Sequence, residues 1–290
     1  MVSAVIGGAG FIGTHLVKRL RENEKCYVVD LQQGDDAKHT SGLAWFLASR
    51  HVETVYHLAS NPDIAAAVEN PMIDFDNGTA ITASVCEASR LANVRKIVYA
   101  SGSGVYGDRD NNIRWAHEDD GPLEPVSPYG ASKLAGEALV SAYFHMFGIA
   151  GISFRFANVV GPGQTHGVGL DFINRLRHDP EHLTVLGDGK QSKSYVHVDD
   201  VVDAIGIAVK HTHDYRVFNV ATEQALKVSE IAALATEVRG CDPLIRYTGG
   251  RGGWAGDVPV VKLDSGRIRA LGWKPKWTSH DAMLDAMRSM

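Results

Sequence analysis

Tyr129 and Lys133 stand four residues apart in the run Ser127-Pro128-Tyr129-Gly130-Ala131-Ser132-Lys133. On a helix that spacing sets a phenol and an ammonium one turn apart on the same face. A free tyrosine ionises near pH ~10 and is a poor base at neutral pH. A neighbouring lysine cation stabilises the phenolate, so the pair is expected to take a proton from a substrate hydroxyl. The spacing alone is common and equally suits an exposed helix face. Its chemistry depends on what surrounds it.

A second constellation lies at the start of the chain. Gly7-Gly8-Ala9-Gly10-Phe11-Ile12-Gly13 follows the apolar run Met1 to Ile6 and precedes a helical stretch from Thr14 to Glu22. Gly7, Gly10 and Gly13 let the backbone approach a pyrophosphate, and the amides around Phe11 and Ile12 open the helix that holds the anion. The next strand-like run, Cys26 to Val29, ends in Asp30. A carboxylate there accepts hydrogen bonds from ribose hydroxyls and repels a 2′-phosphate, which points to NAD rather than NADP.

Positioning these groups takes a fold of alternating strands and helices. Strand-like runs fall at Ser3 to Ile6, Tyr27 to Val29, Thr54 to His57, Lys96 to Ala100 and Gly151 to Phe156. Helical patterns separate most of them, the signature of right-handed βαβ crossovers and a doubly wound parallel α/β sheet. Nothing in Leu31-Gln32-Gln33-Gly34-Asp35-Asp36 reads as a buried strand, so the third strand is expected to be short or missing. Asp35 and Asp36 read as solvated loop carboxylates or as contacts for an adenine edge. After Gly161 the elements shorten and glycine, proline and charge interrupt them. The expected elements there are a helix at Val168 to Arg177, a short strand at Thr184 to Leu186, and returning strands at Lys193 to His197 and Arg216 to Val220. A helix at Ser229 to Arg239, capped by Ser229, follows. The expected division is a cofactor-binding domain at 1–160 plus 193–222 and a smaller substrate-binding cap at 161–192 plus 223–290.

Composition narrows the function. The chain has 290 residues and a net charge of −5, from 29 basic and 34 acidic side chains. No basic field points to nucleic acid or a membrane surface. Cys26, Cys86 and Cys241 are widely spaced and form no metal-ligand pattern, as expected of reduced thiols in a cytoplasmic protein. The first residues enter a strand with no charged leader, and no apolar run approaches the roughly 20 residues of a membrane helix.

Taken together, the chain resembles the extended short-chain dehydrogenase/reductase family, and within it the UDP-glucose 4-epimerase-like sugar-nucleotide enzymes. The resemblance runs through His57-Leu58-Ala59-Ser60, Asn77, Val105-Tyr106-Gly107, the Tyr129/Lys133 pair and Arg155-Phe156-Ala157-Asn158. It continues through Gly187 to Tyr195, His197-Val198-Asp199-Asp200 and Leu271-Gly272-Trp273-Lys274-Pro275. The stretch Thr248 to Pro259 is similar to a branch frequent in archaea.

The resemblance implies a role for each matching position. Lys133 would contact the nicotinamide ribose, and Leu58, Ala59, Asn77 and Phe156 would join the NAD site, with His57 ordering the loop over the cofactor. Asn158, Lys193 and Arg251 would meet the substrate diphosphate. Where the family carries a Ser or Thr beside the reacting hydroxyl, this chain has Gly102, so Ser103, and less so Ser101, would supply that hydrogen bond. Family dehydratases carry carboxylates just before Val105-Tyr106-Gly107, and related decarboxylases keep one. This chain has none from Tyr99 to Gly107, which leaves reversible oxidation at C4. The implied activity is NAD-dependent 4-epimerisation of a UDP-hexose such as UDP-glucose or UDP-galactose. The alternatives are another sugar-nucleotide epimerase or C4 oxidoreductase, acting on UDP-GlcNAc or a UDP-uronate, and a non-catalytic NAD- or NDP-sugar-binding protein. Relatives commonly form homodimers through two helices per subunit, here Thr79 to Leu91 and Tyr129 to Phe147.

Overall fold

A computed structural model describes the chain except for residues 62–63, 109–114, 251, 254–255 and 257. Strand β1 (Val2–Ile6) is buried over most of its length and turns through the glycines into α1 (Phe11–Arg21). Strand β2 (Lys25–Val29) pairs parallel with β1, Val2 opposite Lys25. The chain then crosses through α2 (Thr40–Ser49) to β3 (Thr54–His57), which pairs on the other flank of β1, Ser3 opposite Thr54. The winding direction reverses at β1. The crevice above its carboxyl end is therefore the switch point where open α/β sheets bind ligands.

No strand lies between Asp30 and Thr54, as the polar run after Leu31 led one to expect. The Asp30 side chain accepts the Gln32 N–H and starts a single 3₁₀ turn, Leu31–Gln33, which Gly34 ends at φ 87°. This local capping competes with extended structure, and β2 is left as the outer strand of the sheet.

Beyond β3, α3 (Met72–Asp74) runs into a π-helical turn, Phe75–Thr79, and then α4 (Ala80–Leu91). Strand β4 (Lys96–Gly102) is two residues longer than expected, and α5 (Pro128–Phe147) leads to β5 (Ala150–Phe156). The second part begins with β6 (Asn158–Val160), α6 (Val168–His178) and β7 (His182–Val185). The run expected as one returning strand divides at Ser194. Its first piece is β8 (Ser192–Lys193) and its second β9 (Tyr195–His197), which pairs with β6. Ser194 is turned aside because its hydroxyl bonds the Thr222 carbonyl at 3.0 Å.

Helix α7 (Val198–His211) then returns the chain to the main sheet as β10 (Tyr215–Val220). The six parallel strands lie in the order β10-β5-β4-β3-β1-β2. Next come β11 (Leu226–Lys227) and α8 (Val228–Arg239). Helix α8 starts at Lys227 and not at Ser229: Glu230 accepts the Lys227 N–H at 2.7 Å, while the Ser229 N–H goes to Gly189 O. Strand β12 (Leu244–Tyr247) pairs with β7, and β13 (Val260–Val261) joins β8 and β11. Short α9 (Gly266–Ala270) and α10 (Ser279–Arg288) close the chain.

One face of the main sheet buries Val5, Val98, Phe154 and Phe218 with Val201 and Ile205 of α7. The other buries Ile6 and Val55 with Leu47 of α2 and Val85 of α4. A separate core of Phe172, Leu176, Leu183, Ile231 and Met283 holds α6, α8 and α10 together. Each fully buried side chain of this kind contributes about 1.5–3 kcal/mol relative to exposure. Both faces of the sheet are thereby fixed, and its carboxyl edge is left to the loops.

Candidate active site

Ser127 caps α5, its Oγ accepting the Gly130 N–H at 3.1 Å, and Pro128 occupies the first turn, where a missing N–H costs nothing. The helix thus begins one residue before Tyr129. Tyr129, Lys133 and Glu137 follow at four-residue intervals and share the face turned to the sheet. The buried Lys133 ammonium donates to Ala100 O at 2.7 Å and lies 5.4 Å from the centre of the Tyr129 ring.

Electrostatics at the pair differ from the expectation drawn from spacing. Burial, and after it the Asp74 carboxylate, push the Tyr129 phenol up to about 12. Burial also brings Lys133 down to about 8, against the pull of Asp74 and Glu137. Lys133 therefore does not make the phenol acidic in the protein alone. Desolvation and a nearby carboxylate both disfavour the phenolate.

Gly102 closes β4 directly at the phenol, where a Cβ would stand 3.8 Å from Tyr129 Oη. Of the serines beside it, Ser101 is committed elsewhere. Its buried hydroxyl donates to Glu137 Oε1 at 2.6 Å. Ser103 begins the 3₁₀ turn Ser103–Tyr106 and is half-exposed at the strand end.

The glycine turn is built for close approach. Gly7 has φ +83°, and a Cβ there would fall 2.6 Å from Ala59 N; one on Gly13 would fall 2.2 Å from Gly7 O. Leu58 and Ala59 both donate their N–H to Ile6 O, which brings the end of β3 against the turn. Helix α1 starts at Gly10 with no side-chain cap hydrogen bond, so the N–H groups of its first turn, at Phe11 and Ile12, are left without a side-chain cap among the described residues. Asp30 Oδ2 accepts the Ala9 N–H at 2.9 Å and Oδ1 the Gln32 N–H at 3.0 Å. An ionised carboxylate has lone pairs to spare beyond these two bonds. An uncapped helix start, a bare glycine turn and a carboxylate at the tip of β2 together fit a dinucleotide.

The remaining expected contacts are placed as follows. Asn77 is half-buried in the π-helical turn. The His57 ring pairs with Thr82 Oγ1 of α4 at 2.9 Å. Phe156 buries its ring against Phe154, 5.5 Å between centres, and presents its carbonyl near Gly102. The Asn158 N–H donates to Ser194 O, which brings Asn158 beside the strand carrying Lys193. Arg251 lies outside the described residues. His197 and Asp199 form the start of α7, and the His197 ring stacks on Trp277 at 4.4 Å.

Sequence reasoning missed the buried network under the pair. Arg155 meets Glu137 through both nitrogens of a fork, the shorter bond 2.7 Å, and also donates to Tyr106 Oη at 2.9 Å. Tyr106 in turn donates to Asn219 Oδ1 at 2.8 Å. The position of Glu137, one further turn from Lys133, was the available signal. For Asp74, buried beside both residues of the pair, the sequence holds no such mark.

A switch-point glycine turn, an acidic residue closing β2 and a Tyr–Lys pair on the helix after β4 define a dinucleotide-binding α/β fold with a candidate proton-transfer pair at its crevice. The description "NAD dependent epimerase/dehydratase family" matches residues 4–221, and the chain belongs to that family. It is an enzyme of the UDP-glucose 4-epimerase-like branch, with NAD as cofactor. UDP-glucose 4-epimerase of Mycolicibacterium smegmatis is 31% identical over 300 residues, covering 95% of this chain and 94% of that one. A UDP-galactose 4-epimerase crystal structure is similar at TM-score 0.88 and 35% identity, over 100% of this chain and 98% of that one. Thermus thermophilus UDP-glucose 4-epimerase in complex with NAD is similar at TM-score 0.88 and 29% identity, with the same coverage.

Proposed function

We propose that this enzyme interconverts UDP-glucose and UDP-galactose through a 4-keto sugar. One observation carries the reading. Tyr129 Oη faces the bare end of β4 at Gly102, and the segment from Tyr99 to Gly107 offers no carboxylate to eliminate water or drive decarboxylation.

Tyr129 takes the proton from the C4 hydroxyl as the C4–H bond breaks, and returns it when the carbonyl is reduced from the other face. Lys133, held by Ala100 O, fixes the phenol's surroundings and supplies positive charge on its sheet side. Bound NAD supplies the hydride acceptor and donor, and its cationic ring favours the phenolate. The amides of Phe11 and Ile12 hold the pyrophosphate, and Asp30 the adenosine ribose. Leu58, Ala59, Asn77 and the Phe156 carbonyl line the same crevice. Asn158, Lys193 and Arg251 bind the substrate diphosphate, Lys193 as a point charge without a guanidinium's fork. Ser103 takes the place beside the sugar O4 that Gly102 leaves without a hydroxyl.

The test is purified protein incubated with UDP-galactose and no added NAD, read as UDP-glucose formed. Conversion of UDP-GlcNAc or a UDP-uronate alone would reassign the hexose. Accumulating NADH would make the enzyme a C4 oxidoreductase, and NAD binding without any turnover would make it a binding protein.

We infer further that α4 and α5 pair with their copies in a homodimer. Exposed Leu91, Met146 and Phe147 at the ends of these helices support the pairing. Sedimentation as a monomer at micromolar concentration would refute it. The free thiols Cys26, Cys86 and Cys241 suit the reducing cytoplasm, and no described helix is long and apolar enough to cross a membrane.

A further inference from the structure

Asp74 is 2% exposed at the end of α3, directly before the π-helical turn. Its Oδ1 accepts from Asn61 Nδ2 at 3.0 Å. Its Oδ2 is buried without a hydrogen-bond partner among the described residues. The Asp74 carbonyl accepts the Ser132 hydroxyl at 2.8 Å, and Thr79 Oγ1 donates to that same Ser132 oxygen at 3.0 Å. A Cβ on Gly78 would stand 2.1 Å from Ser132 Oγ, so the bare glycine is what lets α5 seat here. Ser132 lies between Tyr129 and Lys133 in the chain. Its bonds clamp the Asp74 turn onto the helix that carries the pair.

A buried carboxylate oxygen with no donor is costly unless a cation lies within reach. Among the described residues, its charge acts on Tyr129 and Lys133 of α5. Around that pair stand Glu137 of α5, Tyr99 of β4 and His57 of β3. Burial holds His57 neutral, at about 3, and raises Tyr99, leaving that phenol neutral too. Glu137 is matched by Arg155 at 2.7 Å. Lys133 is the described cation on which the Asp74 charge acts. π-helical turns recur at functional sites, and Asp74 directly precedes this one.

We propose that Asp74 is a positioning residue that sets the protonation of the Tyr129–Lys133 pair. Its carboxylate keeps Lys133 an ammonium and keeps Tyr129 a neutral phenol. The inference rests on the reading of Tyr129 as the proton acceptor. It predicts that the pH window of the enzyme is written from α3, outside the helix that carries the pair. Removing the charge makes both groups lose their protons at lower pH. A bell-shaped rate profile would then slide to lower pH as a whole and keep its shape.

The experiment is an ultraviolet difference titration of the Tyr129 phenolate in the purified enzyme, with Tyr129→Phe as the blank, in parent and Asp74→Asn. It needs no substrate, so it reads the carboxylate's effect even if UDP-galactose is not the substrate. The expected midpoint falls by about one pH unit, roughly a tenfold gain in phenolate at fixed pH. The acid and alkaline limbs of kcat/KM should move with it, and Asp74→Glu should restore the parent values. A folded Asp74→Asn with unmoved midpoint and limbs overturns the proposal, as does an upward shift. If Asp74→Asn does not fold, Asp74→Ser removes the same charge with less bulk. Failure of both neutral variants beside a folded Asp74→Glu assigns the carboxylate to stability alone and likewise overturns it.

Discussion

Gly102 leaves one flank of the Tyr129 hydroxyl bare: a Cβ on the glycine would approach Oη to 3.8 Å, an ordinary contact distance. The Gly102 backbone is extended, φ −163° and ψ 168°, which any residue adopts. Its lack of a side chain is therefore a property of the pocket and is not imposed by the chain path.

Gly102→Ser is accordingly expected to fold normally and to keep or raise the epimerisation rate, since the added hydroxyl falls beside the reacting oxygen. Ser103→Ala should slow the reaction by about tenfold, the loss of one hydrogen bond at a developing charge. Ser101→Ala should leave the rate nearly unchanged and lower stability, because that hydroxyl serves Glu137. Steady-state rates with UDP-galactose check all three. A harmless Ser103→Ala beside an inactive Gly102→Ser would show that the space belongs to a bulkier sugar.

Tyr129→Phe removes the proton acceptor and little else, since the ring keeps its place on α5. Activity should fall by about 10²–10⁴-fold with NAD affinity nearly intact. A variant retaining half the parent rate would rule Tyr129 out.

Asp30 already grips the glycine turn through Ala9 N–H, so its charge stands where the adenosine ribose is expected. NAD should bind at least about tenfold more tightly than NADP, and Asp30→Asn should narrow the gap. Equal affinities by calorimetry would show that this carboxylate does not reach the ribose.

His57 sets a limit on acid stability. Burial first, and Lys133 second, lower it from an ordinary 6.5 to about 3. Below pH 6.5 the unfolded chain binds a proton that the folded chain refuses, so stability falls as pH falls from there toward 3. Between pH 7 and 5 this one group should remove about 2 kcal/mol. Denaturant midpoints in His57→Gln should decline less over that interval, and an equal decline would refute the assignment.

The sequence by itself determined the sheet and set Tyr129 and Lys133 one helical turn apart on α5. Alternating apolar runs place β1 to β5 because burial on both faces demands them, and Ser127-Pro128 starts α5 wherever the rest of the chain lies. The polar run after Leu31 likewise told that β2 would be the outer strand, since Asp30 caps its own next turn. Tertiary structure alone decided how the site is charged. Which serine beside Gly102 is free depends on Glu137, thirty-six residues beyond Ser101. Whether Lys133 acidifies Tyr129 depends on burial and on Asp74, which Ser132 ties to α5 across fifty-eight residues. Electrostatic effects act through space between groups distant in the chain, and local spacing carries no record of them.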